Sequence, residues 1–291
     1  MNELDLAKRF DRQRPRLRGV AYRMLGSVSE ADDAVQEAWL RLTRTGAEQI
    51  ESLDGWLTTV VSRICLNMLR SRRTRGERPL DGFLPEPIID DPTAGTDPEH
   101  EALLADAVGI ALQVVLNTLS PAERLAFVLH DMFAVPFDEI AAMVERSPQA
   151  TRQLASRARR RVRETAPAPD PDLARQRAVV DAYFAAAREG DLDALVAVLD
   201  PDVVLRAHRR GGDPLELHGA AAVARGAMAA QRLAPFVRPA LIHGAAGAIA
   251  FDGERPFAVL AFTVVGDRAA AIDVFNDADL VGRLDIRGIT A

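Results

Sequence analysis

The sequence predicts a multidomain protein in which two all-α segments precede an α+β domain. Three observations predict this order. Apolar residues recur at helical spacing within residues 29–75 and again within residues 119–163. Residues 240–275 instead contain short apolar or alternating runs separated by turn residues, a pattern typical of strands. Two proline-rich stretches separate the three parts, because proline interrupts a continuous helix.

The chain has 291 residues, of which 48% are apolar and 27% charged, enough for two or three globular domains. A single cysteine, Cys65, excludes a disulfide framework and a cysteine-rich zinc site. No apolar run approaches the roughly 18 residues of a membrane span. The first residues are acidic and have no signal-peptide pattern. We therefore expect a cytoplasmic protein without a metal or cofactor.

The net charge of −6 argues against nucleic-acid binding only when it is averaged over the chain. It is +4 over residues 1–78, −8 over 79–110, +2 over 111–165 and −4 over 166–291. The segment 79–110 has no Lys or Arg and five prolines, so we expect an extended acidic linker. We expect a helical segment at 1–78, this linker at 79–110, a second helical segment at 111–165, a proline-rich linker at 166–172 and a final domain at 173–291.

Helical spacing over residues 29–44 predicts the first helix with a clear buried face, and Ser29 with Asp32 forms a plausible capping box. The opposite face carries a mostly acidic stripe. The stripe consists of Asp32, Asp33, Gln36 and Glu37. From these residues alone, the stripe is either a solvated face of a helical bundle or a docking surface.

A second helix is expected over residues 52–75, where apolar residues again share one face. It ends in a run of arginines. These arginines either complement the helix dipole or bind phosphate groups, and the residues alone leave both interpretations open. Cys65 lies within the apolar stretch and is expected to be an inert core thiol.

Residues 119–163 predict a helix-turn-helix. The sequence Ser-Pro-Ala-Glu at 120–123 marks a helix start, with serine at the N-cap and proline at the first helical position. A short helix is expected over 137–144. After a tight turn, Ser147 and Pro148 begin a longer helix, which completes the motif.

The last helix of this motif is expected to bury Ala150, Leu154 and Ala158. Its other side has no acidic residue before Glu164. A solvated helix usually mixes acids into such a face, so the asymmetry favours DNA binding over simple exposure. Arginine, glutamine and serine are also residue types that reach base edges. The candidate DNA-contacting residues are Gln149, Arg152, Gln153, Ser156, Arg159 and Arg160.

Several motifs occur together in a recognisable order. They are Val-Gln-Glu-Ala-Trp-Leu-Arg-Leu at 35–42, Gly-Trp-Leu at 55–57, Leu-Ser-Pro-Ala-Glu-Arg at 119–124 and the helix-turn-helix. In this order they resemble the extracytoplasmic-function (ECF) sigma factors of bacterial RNA polymerase. The resemblance covers roughly residues 5–165. It implies that the first segment corresponds to sigma region 2 and the second to sigma region 4.

The resemblance also implies partners and sites. The acidic stripe would dock on the clamp helices of the largest polymerase subunit, and region 4 on the flap of the second. The helix over 147–163 would read the −35 element in the major groove. Region 2 would hold the opened −10 element, because a basic helical surface offsets the cost of unstacking its bases. The implied −10 residues are Arg63, Asn67, Arg70, Arg72, Arg73 and Arg75. The acidic linker would thread basic channels of the polymerase.

Residues 173–291 extend beyond the minimal members of this family. We expect helices over 173–188 and 220–233, and strands over 203–205, 240–243, 248–251, 257–265 and 270–275. Helices followed by a curved antiparallel sheet resemble a SnoaL-like, ketosteroid-isomerase-type α+β cone, which a subgroup of ECF sigma factors carries. In the linker, Phe83, Leu84, Pro85, Glu86 and Pro87 resemble the Trp-Leu-Pro-Glu-Pro motif of that subgroup. The favoured hypothesis is that the cone folds back on both sigma regions, partly through these residues, and regulates promoter binding.

Two alternatives to this function remain at this point. In an enzyme, His208, Asp213, His218, His243 and Asp273 would converge in the cone, although their spacing matches no metal or triad signature. In a one-component regulator, the cone would bind a small ligand and the helix-turn-helix would bind DNA. Such a regulator has no need for the acidic stripe and the arginine-tipped helix, which therefore favour the sigma factor.

Overall fold

The computed structural model describes residues 3–46, 50–74, 85–90, 109–165, 170–208, 215–284 and 286. These residues form two compact units. The first unit contains the described residues up to 74 together with 113–165. The second contains 85–90, 109–112 and the residues from 170 onward. Part of the expected linker therefore belongs to the C-terminal unit.

Three helices begin the first unit: α1 (Glu3–Leu25), α2 (Val28–Thr45) and α3 (Leu53–Thr74). The expected buried face of α2 is confirmed, since Ala31, Ala34, Val35, Ala38 and Leu42 are buried. The N-cap of α2 lies two residues before the expected one. Ser27 rather than Ser29 caps α2, because its hydroxyl accepts the Glu30 N–H while Ser29 bonds to the Ser27 hydroxyl.

The second helical segment contains α4 (Gly109–Thr118), α5 (Pro121–Phe127), α6 (Phe137–Val144) and α7 (Pro148–Thr165). A π-helical turn follows α5. The predicted helix start at Ser120 is confirmed. Its hydroxyl accepts the Glu123 N–H at 3.4 Å, and the Glu123 carboxylate accepts the Ser120 N–H at 3.2 Å. The short helix and the longer helix of the predicted helix-turn-helix are α6 and α7.

The C-terminal unit is an α+β domain, as predicted. Its helices are α8 (Leu173–Glu189), α9 (Leu192–Val198), α10 (Ala220–Ala229) and α11 (Ala278–Val281), with a 3-10 turn after α10. Its strands are β1 (Ile89–Asp90), β2 (Leu199–His208), β3 (Leu215–His218), β4 (Val237–Ile242), β5 (Ala245–Asp252), β6 (Arg255–Val265) and β7 (Arg268–Phe275). Tyr183 and Phe184 of α8 pack edge-on against Phe262 of β6 and hold the helix on the sheet.

The seven strands form one sheet in the order β1-β4-β5-β6-β7-β2-β3. The sheet is mixed rather than antiparallel, because β2 pairs with β7 in parallel. Two strands were not expected. One is β3, and the other is β1, which lies in the linker and pairs with β4 at the opposite edge.

Candidate nucleic-acid interface

The exposed side of α7 carries the candidate −35 residues. Five of the six are exposed, and Arg159 is half-buried. The buried side differs from the expectation by one residue, since Thr151, Ala155 and Ala158 are buried whereas Ala150 and Leu154 are only half-buried. This small rotation of the helix about its axis leaves the candidate side facing outward.

The turn before α7 holds this helix in place. Glu145 ends α6 in the left-handed conformation, with φ 56° and ψ 48°. Glycine is the usual residue there, so a glutamate is mildly strained. The Ser147 hydroxyl then accepts the Ala150 N–H at 3.2 Å, while the Thr151 hydroxyl donates to the Ser147 carbonyl at 3.0 Å. These bonds fix the direction in which α7 leaves the turn.

Two candidate arginines of α7 already have partners in its own segment. The guanidinium of Arg152 lies over the Phe137 ring, 5.6 Å from its centroid. Arg159 pairs with Asp131, with 2.5 Å between Nε and Oδ1. Arg159 is therefore partly neutralised before any DNA arrives. No local sequence pattern indicates this pair, because its two residues are 28 positions apart.

The candidate −10 residues divide into two groups. Arg63, Asn67 and Arg70 are exposed on one side of α3, at positions one and two turns apart. Arg72 points elsewhere: it pairs with Glu30 of α2 and retains 16% side-chain exposure. The structure therefore separates it from the other three. The side chain of Arg73 and all of Arg75 lie outside the described residues.

The acidic stripe on α2 is less negative than the sequence indicates. Asp32 accepts two hydrogen bonds from Arg18 of α1, at 2.6 and 3.0 Å. Glu37 pairs with Arg41 one turn later, with 2.8 Å between the charged atoms. The two remaining members of the stripe are exposed. Half of the stripe is thus already paired with arginines.

A cavity of about 260 Å³, lined by both polar and apolar side chains, adjoins this stripe. Its lining includes Phe10, Val35 and Trp39 beside Asp32 and Gln36. The rings of Phe10 and Trp39 are 5.0 Å apart. Such an aromatic pocket with a polar rim is typical of protein–protein contact sites. The helical spacing of residues 29–44 places Trp39 on the expected buried face, so the sequence pattern does not indicate this pocket.

The linker motif is attached to the C-terminal unit through strand β1. Ile89 pairs with Ile242 of β4. Next to this pair, His243 donates its backbone N–H to the Ile88 carbonyl at 2.8 Å and accepts the Ile88 N–H on Nε2 at 3.2 Å. The residues at 85–87 precede this strand, while Phe83 and Leu84 lie outside the described residues.

Among the described residues of the cone, the histidines of the alternative catalytic cluster do not come together. His218 is exposed on the β3 edge, whereas His243 is buried beyond β4 at the opposite edge. Asp273 is fully buried and pairs with Arg206 at 2.9 Å. The side chain of His208 and the whole of Asp213 lie outside the described residues. Within the described part of the chain, no group of three or more His, Cys, Asp or Glu side chains is arranged to hold a metal ion.

Comparison with known proteins assigns the family. Residues 9–75 match the family model of sigma-70 region 2, and residues 110–162 match that of sigma-70 region 4. Over 292 aligned positions the chain is 40% identical to the ECF RNA polymerase sigma factor SigJ of Mycobacterium tuberculosis, spanning 94% of this chain and 92% of SigJ. The chain belongs to the ECF sigma factor family.

This ECF sigma factor also resembles SigJ in three dimensions. The crystal structure of Mycobacterium tuberculosis SigJ matches it with a TM-score of 0.77 and 35% identity, over 96% of this chain and all of SigJ. A further relative, the probable ECF sigma factor SigI of Mycobacterium tuberculosis, is 40% identical over 66% of each chain. Similarity to SigJ therefore includes the C-terminal unit as well as the two sigma regions.

Membership of the family establishes the general function. This sigma factor binds core RNA polymerase and promoter DNA and directs transcription initiation. The region 2 match decides against the one-component regulator, which has no such domain. Among the described residues, no helix has the length and apolar character needed to cross a membrane.

Proposed function

We propose that α7 reads the −35 element of the promoter with the N-terminal half of its exposed side. Gln149, Arg152 and Gln153 are exposed there and have no acidic neighbour on the helix. This observation carries the proposal, because such side chains form hydrogen bonds to base edges in the major groove. Ser156 and Arg160 follow on the same helix, where they meet the phosphate backbone.

The exposed side of α3 holds the opened −10 element. Arg63, Asn67 and Arg70 form a polar row with two positive charges, which suits a single strand whose bases are unstacked. Arg72 supports this surface indirectly, since its pair with Glu30 fixes the end of α3 on α2.

The face of α2 docks on the clamp helices of the largest polymerase subunit. The exposed acidic side chains of the stripe supply charge complementarity, and the pocket lined by Phe10 and Trp39 accepts an apolar side chain of the partner. Region 4 contacts the flap of the second subunit. The protein acts in the cytoplasm, where polymerase and DNA are found.

The Arg152→Ala variant tests the −35 proposal. We expect its affinity for promoter DNA, measured with core polymerase on the protein's own promoter, to fall by about 1–3 kcal/mol. On a promoter with a scrambled −35 element, the same substitution should have little effect. Arg177→Ala is the matched control, because Arg177 is an exposed arginine of the C-terminal unit.

The two promoters separate base reading from simple charge. A loss of equal size on the intact and the scrambled −35 element would show that Arg152 only contacts phosphates. A loss of equal size in Arg177→Ala would show that overall charge is responsible.

The C-terminal unit regulates initiation and is not an enzyme. Among its described side chains, His218 and His243 lie at opposite edges of the sheet, and the buried Asp273 is paired with Arg206. Its attachment to strand β1 supports a regulatory role. We infer that docking of β1 restrains promoter engagement.

The His243→Ala variant tests this restraint. Loss of the imidazole removes the acceptor of the Ile88 N–H, so β1 should detach more often from β4. We expect faster hydrogen exchange at Ile88 and Ile89 and a severalfold increase in promoter-directed transcription in vitro. His218→Ala is the control, because His218 is exposed at the other edge of the sheet. Faster exchange with unchanged transcription would contradict a regulatory role for the docked strand.

A further inference from the structure

Sigma regions 2 and 4 hold each other in one compact unit. Arg16 of α1 donates to the Phe133 carbonyl at 3.4 Å and lies over the Phe133 ring, 5.8 Å from its centroid. Arg63 of α3 donates to the Ala142 carbonyl of α6 at 3.4 Å. We call this set of contacts, together with those of Gln113 and Arg124 described next, the clasp.

The clasp involves residues that are also candidates for contacting DNA. Arg63 belongs to the proposed −10 surface, yet its guanidinium is bound to region 4. Arg70 of region 2 and Gln153 of region 4 line one groove of about 640 Å³. A single strand on α3 and a duplex around α7 would compete for this groove, because a recognition helix needs a major groove about 12 Å wide around it. The clasp must therefore open before both promoter elements are bound.

At the centre of the clasp lies a buried positive charge. Arg124 of α5 retains 4% exposure, and its Nε donates to the Arg23 carbonyl at 2.9 Å. Its Nη2 has no hydrogen-bond partner among the described residues. Burial, followed by the nearby positive charge of Arg72, lowers the pKa of Arg124 to about 9. The charged form is thus disfavoured while the clasp is closed and regains water when it opens.

The hydrogen bond of Arg124 is also replaceable. Gln113 of α4 donates to the same Arg23 carbonyl at 3.2 Å and to the Tyr22 carbonyl at 3.3 Å. The Arg23 carbonyl would therefore keep a donor if Arg124 were replaced. An apolar side chain of similar length would fill the space without a charge to bury.

We propose that Arg124 destabilises the closed arrangement of regions 2 and 4 and thereby keeps the free sigma factor able to open. The contacts of Arg16, Arg63 and Gln113 stabilise the closed arrangement, whereas the buried charge of Arg124 lowers its stability. The closed state therefore opens readily when polymerase and promoter compete for its surfaces.

The test is single-molecule energy transfer in the full-length free protein. Arg44→Cys in α2 and Glu164→Cys in α7 provide exposed labelling sites in the two regions. Cys65 stays unlabelled, because burial raises the pKa of its thiol to about 12. On this background we expect Arg124→Met to lower the open population about tenfold. Arg124→Lys, which keeps the buried charge, should resemble the parent.

The matched control is Arg161→Met. Arg161 is exposed and donates to the Thr118 carbonyl inside region 4 at 3.4 Å, so its loss should leave the open population unchanged. The proposal is overturned if the parent shows no open population, or if Arg124→Met leaves that population equal or larger. Core polymerase is then added as a separate step. Failure of the parent to bind it would count against the proposed polymerase surface and would leave the result on the free protein standing.

Discussion

In the Arg206→Met variant, we expect the free energy of unfolding of the C-terminal unit to be about 3–5 kcal/mol lower than in the parent protein. Asp273 is fully buried, and Arg206 donates to its Oδ1 at 2.9 Å. The two residues lie opposite each other on the parallel strands β2 and β7. Removing the guanidinium leaves a buried carboxylate without its cation, and a buried charge without its counterion is costly.

The measurement is urea unfolding of the full chain with two probes. Both tryptophans, Trp39 and Trp56, lie in region 2, so their fluorescence reports only the first unit. Circular dichroism reports both units. We expect Arg206→Met to shift the dichroism transition while the fluorescence transition stays in place.

A double variant separates the pair from its surroundings. Arg206→Met with Asp273→Leu removes both charges and should recover most of the lost stability, because an apolar pair of similar volume has no desolvation penalty. A double variant as unstable as Arg206→Met would contradict this explanation. A C-terminal unit that lost no stability in either variant would reopen the alternative in which Asp273 acts in catalysis.

The helices could be predicted because their signals are local. The Ser120–Glu123 capping box and the Ser147-Pro148 start lie within one turn of the bonds they make, and both helix starts agree with the structure. Ser27 and Ser29 both lie near the start of α2, and the sequence pattern predicted the wrong one as the N-cap residue. The sequence therefore gives helices reliably and their end residues less so.

The contacts that matter most to the site could not be predicted, because they join distant parts of the chain. Strand β1 pairs with a strand about 150 residues later, and the prolines and acidic residues of the surrounding segment favour an extended linker. β2 and β7 pair in parallel, so no hairpin turn joins them. No local turn sequence therefore predicts that these two strands are neighbours. In the same way, the Arg159–Asp131 pair and the burial of Arg124 depend on tertiary packing, so a charge pattern along one helix does not reveal them.

Replacing Gly247 with valine should be the second most damaging change, with a loss of about 3 kcal/mol from the C-terminal unit. Gly247 is buried in β5, between β4 and β6. A Cβ at this position would lie 2.6 Å from Cγ1 of Ile242 and 2.6 Å from the Leu260 carbonyl oxygen. The second neighbour is backbone of β6, so the sheet itself would have to move.

The damage should extend to the docked linker. Ile242 is the residue of β4 that pairs with Ile89 of β1, so pressure on its side chain disturbs the site where the linker strand attaches. We expect the Gly247→Val variant to lose amide protection at Ile88 and Ile89 together with the stability of the sheet. Gly253→Asn is the control, because Gly253 is open to solvent in a left-handed turn that asparagine tolerates. Lost stability with full protection at both isoleucines would mean that β1 is held by contacts other than those of Ile242.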